Sequence, residues 1–213
     1  MQVIQISKAF GARDVLKDVS FRVDPGDRVA VVGRNGEGKT TLLRILAGQV
    51  EADGGRVSLP KGAGIALHDQ RPPRERGITL GESVAEGMAA AEAAERDLAV
   101  LELRMASGDA GPDVLAAYED AHARLERAGG YAWRSWIERV LRGLGIPEDW
   151  LERPLEGCSG GELTRASLAR SLVSRPDVLL LDAPTNHLDL AAVEWLERAI
   201  ADLGAAVVLV SHD

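Results

Sequence analysis

The chain has 213 residues, 46% of them apolar and 27% charged, which is sufficient for one large or two small packed domains. Its net charge of −8 excludes the overall basic footprint of a nucleic-acid-binding domain, although a local basic patch is compatible with it. With Cys158 as its single cysteine, the chain has neither an intrachain disulfide nor a thiolate zinc cage, and a reducing, cytoplasmic compartment fits.

Apolar runs are too short to cross a membrane, which takes about 20 residues. The longest candidates, 178–181 and 205–210, are of strand length. The first residues show no charged leader followed by an apolar stretch, so no secretory signal is expected. We therefore expect a soluble chain with no membrane segment.

Strands and one helix are predicted in the first third of the chain. A glycine-rich segment at 33–40 follows a short apolar run and precedes a helix over 39–47, which has an apolar side and ends at a glycine. The hydrophobic patterns predict strands at 3–6, 19–23, 28–32, 56–59 and 65–67.

The middle of the chain is rich in good helix formers. A breaker at 107–112 divides it, and Asp113 is predicted to cap the second of two helices. Two helices joined in this way favour an antiparallel hairpin. A further helix is predicted over 133–144.

Helix and strand alternate again in the last third, with helices at 159–173 and 190–200 and strands at 178–181 and 205–210. Continuous apolar runs are typical of strands buried on both faces of a parallel sheet. The fold class predicted is α/β, with a helical insert in its core.

The segment from Gly33 to Thr40 has the spacing Gly-x4-Gly-Lys-Thr, which is a complete P-loop between an apolar strand and an amphipathic helix. Its glycines let backbone N–H groups surround phosphate oxygens. Lys39 is expected to reach the β- and γ-phosphates, and the Thr40 hydroxyl to bind Mg²⁺. The alternative is an ordinary glycine-rich turn, but such a turn would need neither the lysine nor the threonine.

Asp182 ends the apolar run that starts at Val178. Alone, an aspartate in this position could be a turn residue. Beside a P-loop, it is expected to hold the magnesium ion directly or through water.

The segment Cys158-Ser-Gly-Gly-Glu162 resembles the signature loop of ATP-binding-cassette (ABC) ATPases. The resemblance implies a P-loop NTPase cassette with an N-terminal antiparallel β subdomain, a parallel-sheet core and an inserted helical subdomain, spanning residues 1–213. It implies ATP and Mg²⁺ as cofactors. In that family Ser159, Gly160, Gly161 and Glu162 contact an ATP held by a different cassette. Cys158 replaces the usual leucine, as a packing residue or, alternatively, a redox-active thiol.

The resemblance assigns four further positions. Phe10 corresponds to an aromatic residue that stacks on adenine, the alternative being a core phenylalanine. Gln70 corresponds to the glutamine that contacts magnesium and the attacking water, His212 to a histidine at the γ-phosphate, and Asp189 to an aspartate facing the partner cassette. The nucleotide-binding P-loop residues are Gly33, Arg34, Asn35, Gly36, Glu37, Gly38, Lys39, Thr40 and Thr41.

Asn186-His-Leu-Asp189 resembles the ABC-F class, whose tandem-cassette members often act on the ribosome. The resemblance implies that this is a first cassette truncated after His212, with a second cassette and the ribosome (rRNA or tRNA) as partners. It also implies a helical arm at 84–128. Acidic residues are as prominent there as arginines, so a merely solvated helical face is the alternative to RNA contact.

The family places a catalytic glutamate directly after the magnesium aspartate, but this chain has Ala183. Alanine cannot accept a proton or orient water, so we predict a cassette that binds Mg-ATP and hydrolyses it very slowly. A deliberate substitution that traps the ATP state and a naturally degenerate site are alternative explanations, and the intact remaining motifs favour the first.

The function implied is ATP-driven closure that regulates the ribosome, as a translation factor or in ribosome-protection antibiotic resistance. One alternative is the ATPase subunit of a membrane transporter. Another is an ATP-binding module that never hydrolyses its nucleotide.

Overall fold

The computed structural model describes residues 1–210 except 71, 73 and 75. The strands are β1 (Gln2–Phe10), β2 (Arg13–Arg22), β3 (Arg28–Val31), β4 (Gly54–Ser58), β5 (Ile65–His68), β6 (Val178–Asp182) and β7 (Ala206–Val210). The helices are α1 (Lys39–Leu46), α2 (Leu80–Ala85), α3 (Ala89–Ala106), α4 (Pro112–Arg127), α5 (Trp133–Gly143), α6 (Glu148–Leu151), α7 (Gly160–Val173) and α8 (Leu190–Leu203).

These strands form two sheets. The smaller is antiparallel, with the order β2-β1-β4, and the larger is parallel, with the order β3-β7-β6-β5. The sheets and their helices confirm the predicted α/β class, with an antiparallel β subdomain beside a parallel-sheet core.

The parallel sheet is covered on both faces. Along β6, Leu179 and Leu181 pack into a core formed with the helices, whereas Val178 and Leu180 pack into a second core with α1 and the antiparallel sheet. Alternate residues of a strand point to opposite faces, so this division makes three layers. All five residues of β6 are buried, which explains its continuous apolar run.

The helix that follows the breaker does not start as predicted. Gly111 is the N-cap of α4 and Pro112 occupies its first turn, so the prediction that Asp113 caps this helix is wrong. Proline is well suited to the first helical position because its fixed φ and missing N–H cost nothing there. Asp113 instead lies in the first turn, where its negative charge is favourable.

Within the described residues, no helix is both long and apolar enough to cross a membrane. The longest helix, α3, carries charged side chains along its length.

His68 ends β5 in the core, where it is fully buried, and its Nδ1 lies 3.2 Å from Ser167 Oγ of α7. Burial lowers the pKa of His68 to about 4, against a smaller upward effect of Asp69. In the unfolded chain, His68 therefore takes up a proton near pH 6.5, whereas in the folded chain it stays neutral until the pH falls to about 4. Neutral His68 therefore makes its full contribution to the free energy of unfolding above pH 6.5, and this contribution is lost as the pH falls from 6.5 to about 4.

We predict that the free energy of unfolding falls by about 2 kcal/mol more between pH 7.5 and pH 5 in the unaltered chain than in His68→Asn. Urea unfolding at the two pH values measures this difference. The control is His122→Asn, which removes an exposed histidine and should keep the pH dependence of the unaltered chain. Equal losses in all three chains would contradict the prediction.

Candidate functional site

The P-loop connects β3 to α1 through tightly bent backbone. Gly38, the N-cap of α1, has a φ of 93°, and a Cβ built there would lie 2.4 Å from Val15 Cγ1 and 3.0 Å from the Val15 carbonyl oxygen. Only glycine satisfies both the backbone angle and the close approach of β2. The loop is thereby pressed against the antiparallel subdomain.

Two side chains of the loop fold back onto its first residues. Lys39 is buried, and its ammonium donates hydrogen bonds to the carbonyl oxygens of Gly33 (2.7 Å) and Arg34 (2.9 Å). The Glu37 carboxylate accepts a hydrogen bond from the Arg34 N–H at 2.7 Å. The ammonium thus reaches back across the loop, towards the region where a phosphate chain would lie.

Thr40 and Asp182 meet at the loop although they are 142 positions apart in the sequence. The Thr40 hydroxyl donates a hydrogen bond of 2.7 Å to the carboxylate of Asp182, which is 2% exposed. A hydroxyl oxygen beside a buried carboxylate is a donor set that suits Mg²⁺.

The surroundings also suit magnesium better than a metal held entirely by protein. Among the described residues, no group of three or more His, Cys, Asp or Glu side chains could enclose a metal ion. Magnesium in nucleotide sites is commonly held by one or two protein ligands together with phosphate oxygens and water. The pair at the end of β6 supplies that number of protein ligands.

A cavity of about 610 Å³ opens over the P-loop. Phe10 reaches it from the end of β1, and Gln70 reaches it from the segment after β5. The Phe10 side chain is 55% exposed, so the alternative that it is a core phenylalanine is wrong. The cavity is lined by Phe10, Arg13, Val15, Asn35, Gly36, Gly38, Lys39, Thr40, Thr41 and Gln70.

The segment that carries Gln70 is hydrogen-bonded to two neighbouring helices. Asp69 accepts a hydrogen bond of 2.8 Å from Arg44 of α1. The carbonyl oxygen of Gln70 accepts a bond of 3.4 Å from Thr164 of α7. This segment therefore connects the helix after the P-loop with the helix after the signature segment.

Arg13 and Val15 line the cavity but did not emerge from the sequence patterns. Arg13 pairs with Phe10 across the turn between β1 and β2, and its guanidinium donates a bond of 2.9 Å to the Gly36 carbonyl oxygen. The signal was present, because a tight turn at Gly11 places Arg13 opposite Phe10 and strand alternation then places Val15 on the same face.

The signature segment lies elsewhere, since none of its residues lines the described part of the P-loop cavity. Ser159 caps α7, accepting a bond of 3.3 Å from the Glu162 N–H and donating its own N–H to the Glu162 carboxylate at 2.7 Å. Gly160 and Gly161 form the first turn of α7. The exposed first turn offers N–H groups and a positive dipole end, which suit an anion.

The segment before α8 packs beside the signature segment. A Cβ at Gly161 would lie 3.6 Å from that of His187, and Arg165 of α7 donates a bond of 3.0 Å to the His187 carbonyl oxygen. Asp189 caps α8 by accepting a bond of 2.8 Å from the Ala192 N–H. The predicted residues thus form two groups, one around the P-loop and one around the start of α7.

Ala183 follows Asp182 and is 5% exposed. Its N–H donates a bond of 3.1 Å to the Val210 carbonyl oxygen, and its φ of 47° lies in the left-handed region. A methyl group here offers no hydrogen bond to a water molecule. The prediction for His212 falls on a residue outside the described part of the chain.

Cys158 lies in the core beside the capped start of α7 and is 2% exposed. Burial raises the pKa of its thiol, so a reactive thiolate is disfavoured. The arrangement supports the packing role over the redox role.

The family model described as "ABC transporter" matches residues 16–186. The energy-dependent translational throttle protein EttA of Haemophilus influenzae is 39% identical over 202 residues, which are 94% of this chain and 36% of that protein. The tylosin resistance ATP-binding protein TlrC of Streptomyces fradiae is 36% identical over 214 residues, which are 98% of this chain and 38% of that protein. The first curated relatives show the same relation, since the chain spans between 31% and 42% of their length.

Solved structures agree on the fold. The structure of an ATP-binding subunit of an ABC transporter matches with a TM-score of 0.71 at 21% identity, over 99% of this chain and 78% of that one. Taken with the P-loop, the Asp182 strand and the signature segment, these matches show that the chain belongs to the ABC transporter family of ATP-binding proteins, as a cassette of the ABC-F class.

Proposed function

We propose that the chain binds Mg-ATP in the P-loop cavity. The observation that carries the proposal is the bond between Thr40 and Asp182, which brings two magnesium ligands together at the mouth of a phosphate-binding loop. Lys39 would neutralise the terminal phosphates, and the exposed ring of Phe10 would stack on the adenine. Gln70 would complete the site beside the metal and the attacking water.

The bound magnesium would screen phosphate charge and polarise the terminal phosphoryl group. The protein residues would bind and orient the nucleotide, but the residue at position 183 is an alanine, which cannot take a proton from water. General-base assistance typically contributes about 10²–10⁴-fold to a rate, so hydrolysis by this cassette is expected to be slow.

The complete site would need a second cassette. The P-loop cavity holds one group of predicted residues, whereas Ser159, Glu162 and Asp189 lie outside its lining. A partner cassette would present its signature segment to this ATP, and this chain would present its own to the partner's nucleotide. The share of its relatives that the chain covers is consistent with a first cassette whose second cassette lies elsewhere in a longer protein.

At the level of the whole protein, we propose ATP-driven closure that regulates the ribosome from the cytoplasm. Support comes from the relatives, whose names state translational throttling and tylosin resistance for those proteins. The hairpin of α3 and α4, within the predicted arm at 84–128, remains the proposed ribosome-contacting element.

Cosedimentation tests this proposal. We expect the chain, paired with its second cassette, to pellet with ribosomes through a sucrose cushion when a slowly hydrolysed Mg-ATP analogue is present. The control omits the nucleotide, which should leave the assembly in the supernatant. Association with membrane vesicles and no ribosome-bound fraction would contradict the proposal and favour a transporter subunit.

A further inference from the structure

Arginines are distributed unevenly between two surfaces of this acidic chain. Several arginines of the α3 and α4 region are neutralised locally: Arg104 pairs with Asp109 at 2.6 Å, and Arg124 pairs with Asp97 at 2.9 Å. Arg134, at the start of α5, pairs with Glu95 at 2.7 Å. Self-neutralised arginines leave little free charge for a polyanion to attract. These paired arginines therefore offer little free positive charge to phosphate groups, so a ribosome contact by the hairpin would be made through other groups.

A second set has no such pairing. Arg127, Arg139, Arg142 and Arg175, here named the arginine strip, form no ion pair with any described carboxylate within 4.0 Å. They come from the end of α4, from α5 and from the segment after α7. The fold therefore gathers free positive charge from three separate parts of the sequence.

The strip lines three surface cavities. Arg139 and Arg142 line one of about 500 Å³, together with Trp195 and Arg198. Arg127 and Arg175 line two others, of about 410 and 280 Å³.

Trp136 joins the two halves of the strip. The guanidinium carbons of Arg139 and Arg175 each lie 5.1 Å from the centroid of its ring, which is buried and bonded through Nε1 to the Leu172 carbonyl oxygen. Contact with the ring face favours a cation. The strip is thus one continuous feature rather than two isolated patches.

Bringing these cations together has an electrostatic cost, and no described carboxylate forms an ion pair with any of them. Burial, and then the positive charge of Arg139, lower the pKa of Arg175. Asp177 and Asp189 line the same cavities but lie outside ion-pair distance of the strip, and they accept hydrogen bonds from the N–H groups of Gly64 and Ala192. Asp202 lines the smallest cavity without an ion pair to the strip. An anion from outside the chain would relieve the repulsion.

We propose that the arginine strip binds the phosphodiester backbone of RNA. Guanidinium groups match the geometry of phosphate oxygens, and charges spread over several cavities fit an extended polyanion better than one small anion. Backbone contacts of this kind give affinity without base recognition. The choice of RNA rests on the proposed ribosomal function, whereas the location of the contact comes from the strip alone.

The test is fluorescence anisotropy of the chain with a short, labelled single-stranded RNA at low salt. The strip variant is Arg139→Glu/Arg142→Glu, and the matched control is Arg28→Glu/Arg56→Glu, which changes net charge equally at exposed arginines of the strand regions. We expect the strip variant to weaken binding about tenfold or more and to flatten the slope of log K against log salt by about 1.4. The control should stay within about twofold of the unaltered chain.

Several results would overturn the proposal: no RNA binding by the unaltered chain, equal losses in both variants, preference for DNA of the same sequence, or displacement of RNA by an acidic peptide at equal charge concentration. If charge reversal impairs folding, Arg139→Gln/Arg142→Gln provides the same comparison. Mg-ATP binding measured on the same samples separates this proposal from the previous one, because the strip variant should retain it.

Discussion

Replacing Lys39 with alanine is expected to weaken Mg-ATP binding by about 100-fold or more. Hydrogen bonds to charged groups are worth ~1.5–3 kcal/mol each, and an ammonium on the terminal phosphates makes more than one. The ammonium of Lys39 reaches back to the carbonyl oxygens of Gly33 and Arg34, which makes it the cation we expect at the terminal phosphates. Isothermal titration calorimetry with a slowly hydrolysed ATP analogue measures the loss.

Lys61→Ala is the matched control, because Lys61 is an exposed lysine in a turn outside the cavity lining. It should bind the analogue as tightly as the unaltered chain does. Since Lys39 is buried, Lys39→Met tests whether the loss follows from missing charge while most of the aliphatic stem is retained. Undiminished affinity in both Lys39 variants, with unchanged thermal unfolding, would contradict the assignment of the loop.

The second large effect is expected at Ala183. In an assembly with a second cassette, Ala183→Glu should raise the rate of ATP hydrolysis by about 10²–10⁴-fold while leaving the affinity for Mg-ATP within a few-fold. The reason is positional, because residue 183 directly follows the carboxylate that pairs with Thr40. Release of phosphate under steady-state conditions is the measurement.

Ala183→Gln makes this experiment specific. Glutamine matches glutamate in size and in its backbone demands at a φ of 47°, but it cannot act as a general base. It should therefore hydrolyse ATP as slowly as the unaltered chain. A Glu variant that hydrolyses ATP as slowly as the Gln variant would contradict the missing-base explanation. That result would support a module that binds ATP without hydrolysing it.

The P-loop region was the most predictable part of the molecule. Its glycines, Lys39 and Thr40 lie within a few residues of one another, so local spacing alone describes the loop. The approach of Asp182 was also predictable despite a separation of 142 positions in the sequence, because carboxyl ends of parallel strands meet at one edge of a sheet.

The first two strands were underestimated, predicted at 3–6 and 19–23 but observed as Gln2–Phe10 and Arg13–Arg22. Their pairing contains register shifts, and Gln5 and Asp18 have positive φ values. Bulges of this kind interrupt the alternation on which strand prediction depends. Because the predicted strands stopped short of the turn at Gly11, Arg13 and Val15 were not placed beside Phe10.

Features that depend on how helices pack against one another could not be predicted from the sequence. The ion pair between Arg124 and Asp97 depends on how α3 and α4 face each other, which their helical spacing does not specify. The arginine strip similarly requires the packing of α4, α5 and α7 around Trp136. The net charge of −8 gives no indication of a local cluster of free arginines.

The most direct test of the central claim is equilibrium dialysis of the folded chain against labelled ATP, with and without magnesium, alongside Asp182→Asn. If Lys39, Thr40 and Asp182 grip a metal-bound triphosphate, the unaltered chain should retain ATP saturably. Removing magnesium or introducing Asp182→Asn should weaken that retention. No retention by the folded chain in excess magnesium, or retention that neither change affects, would contradict the account.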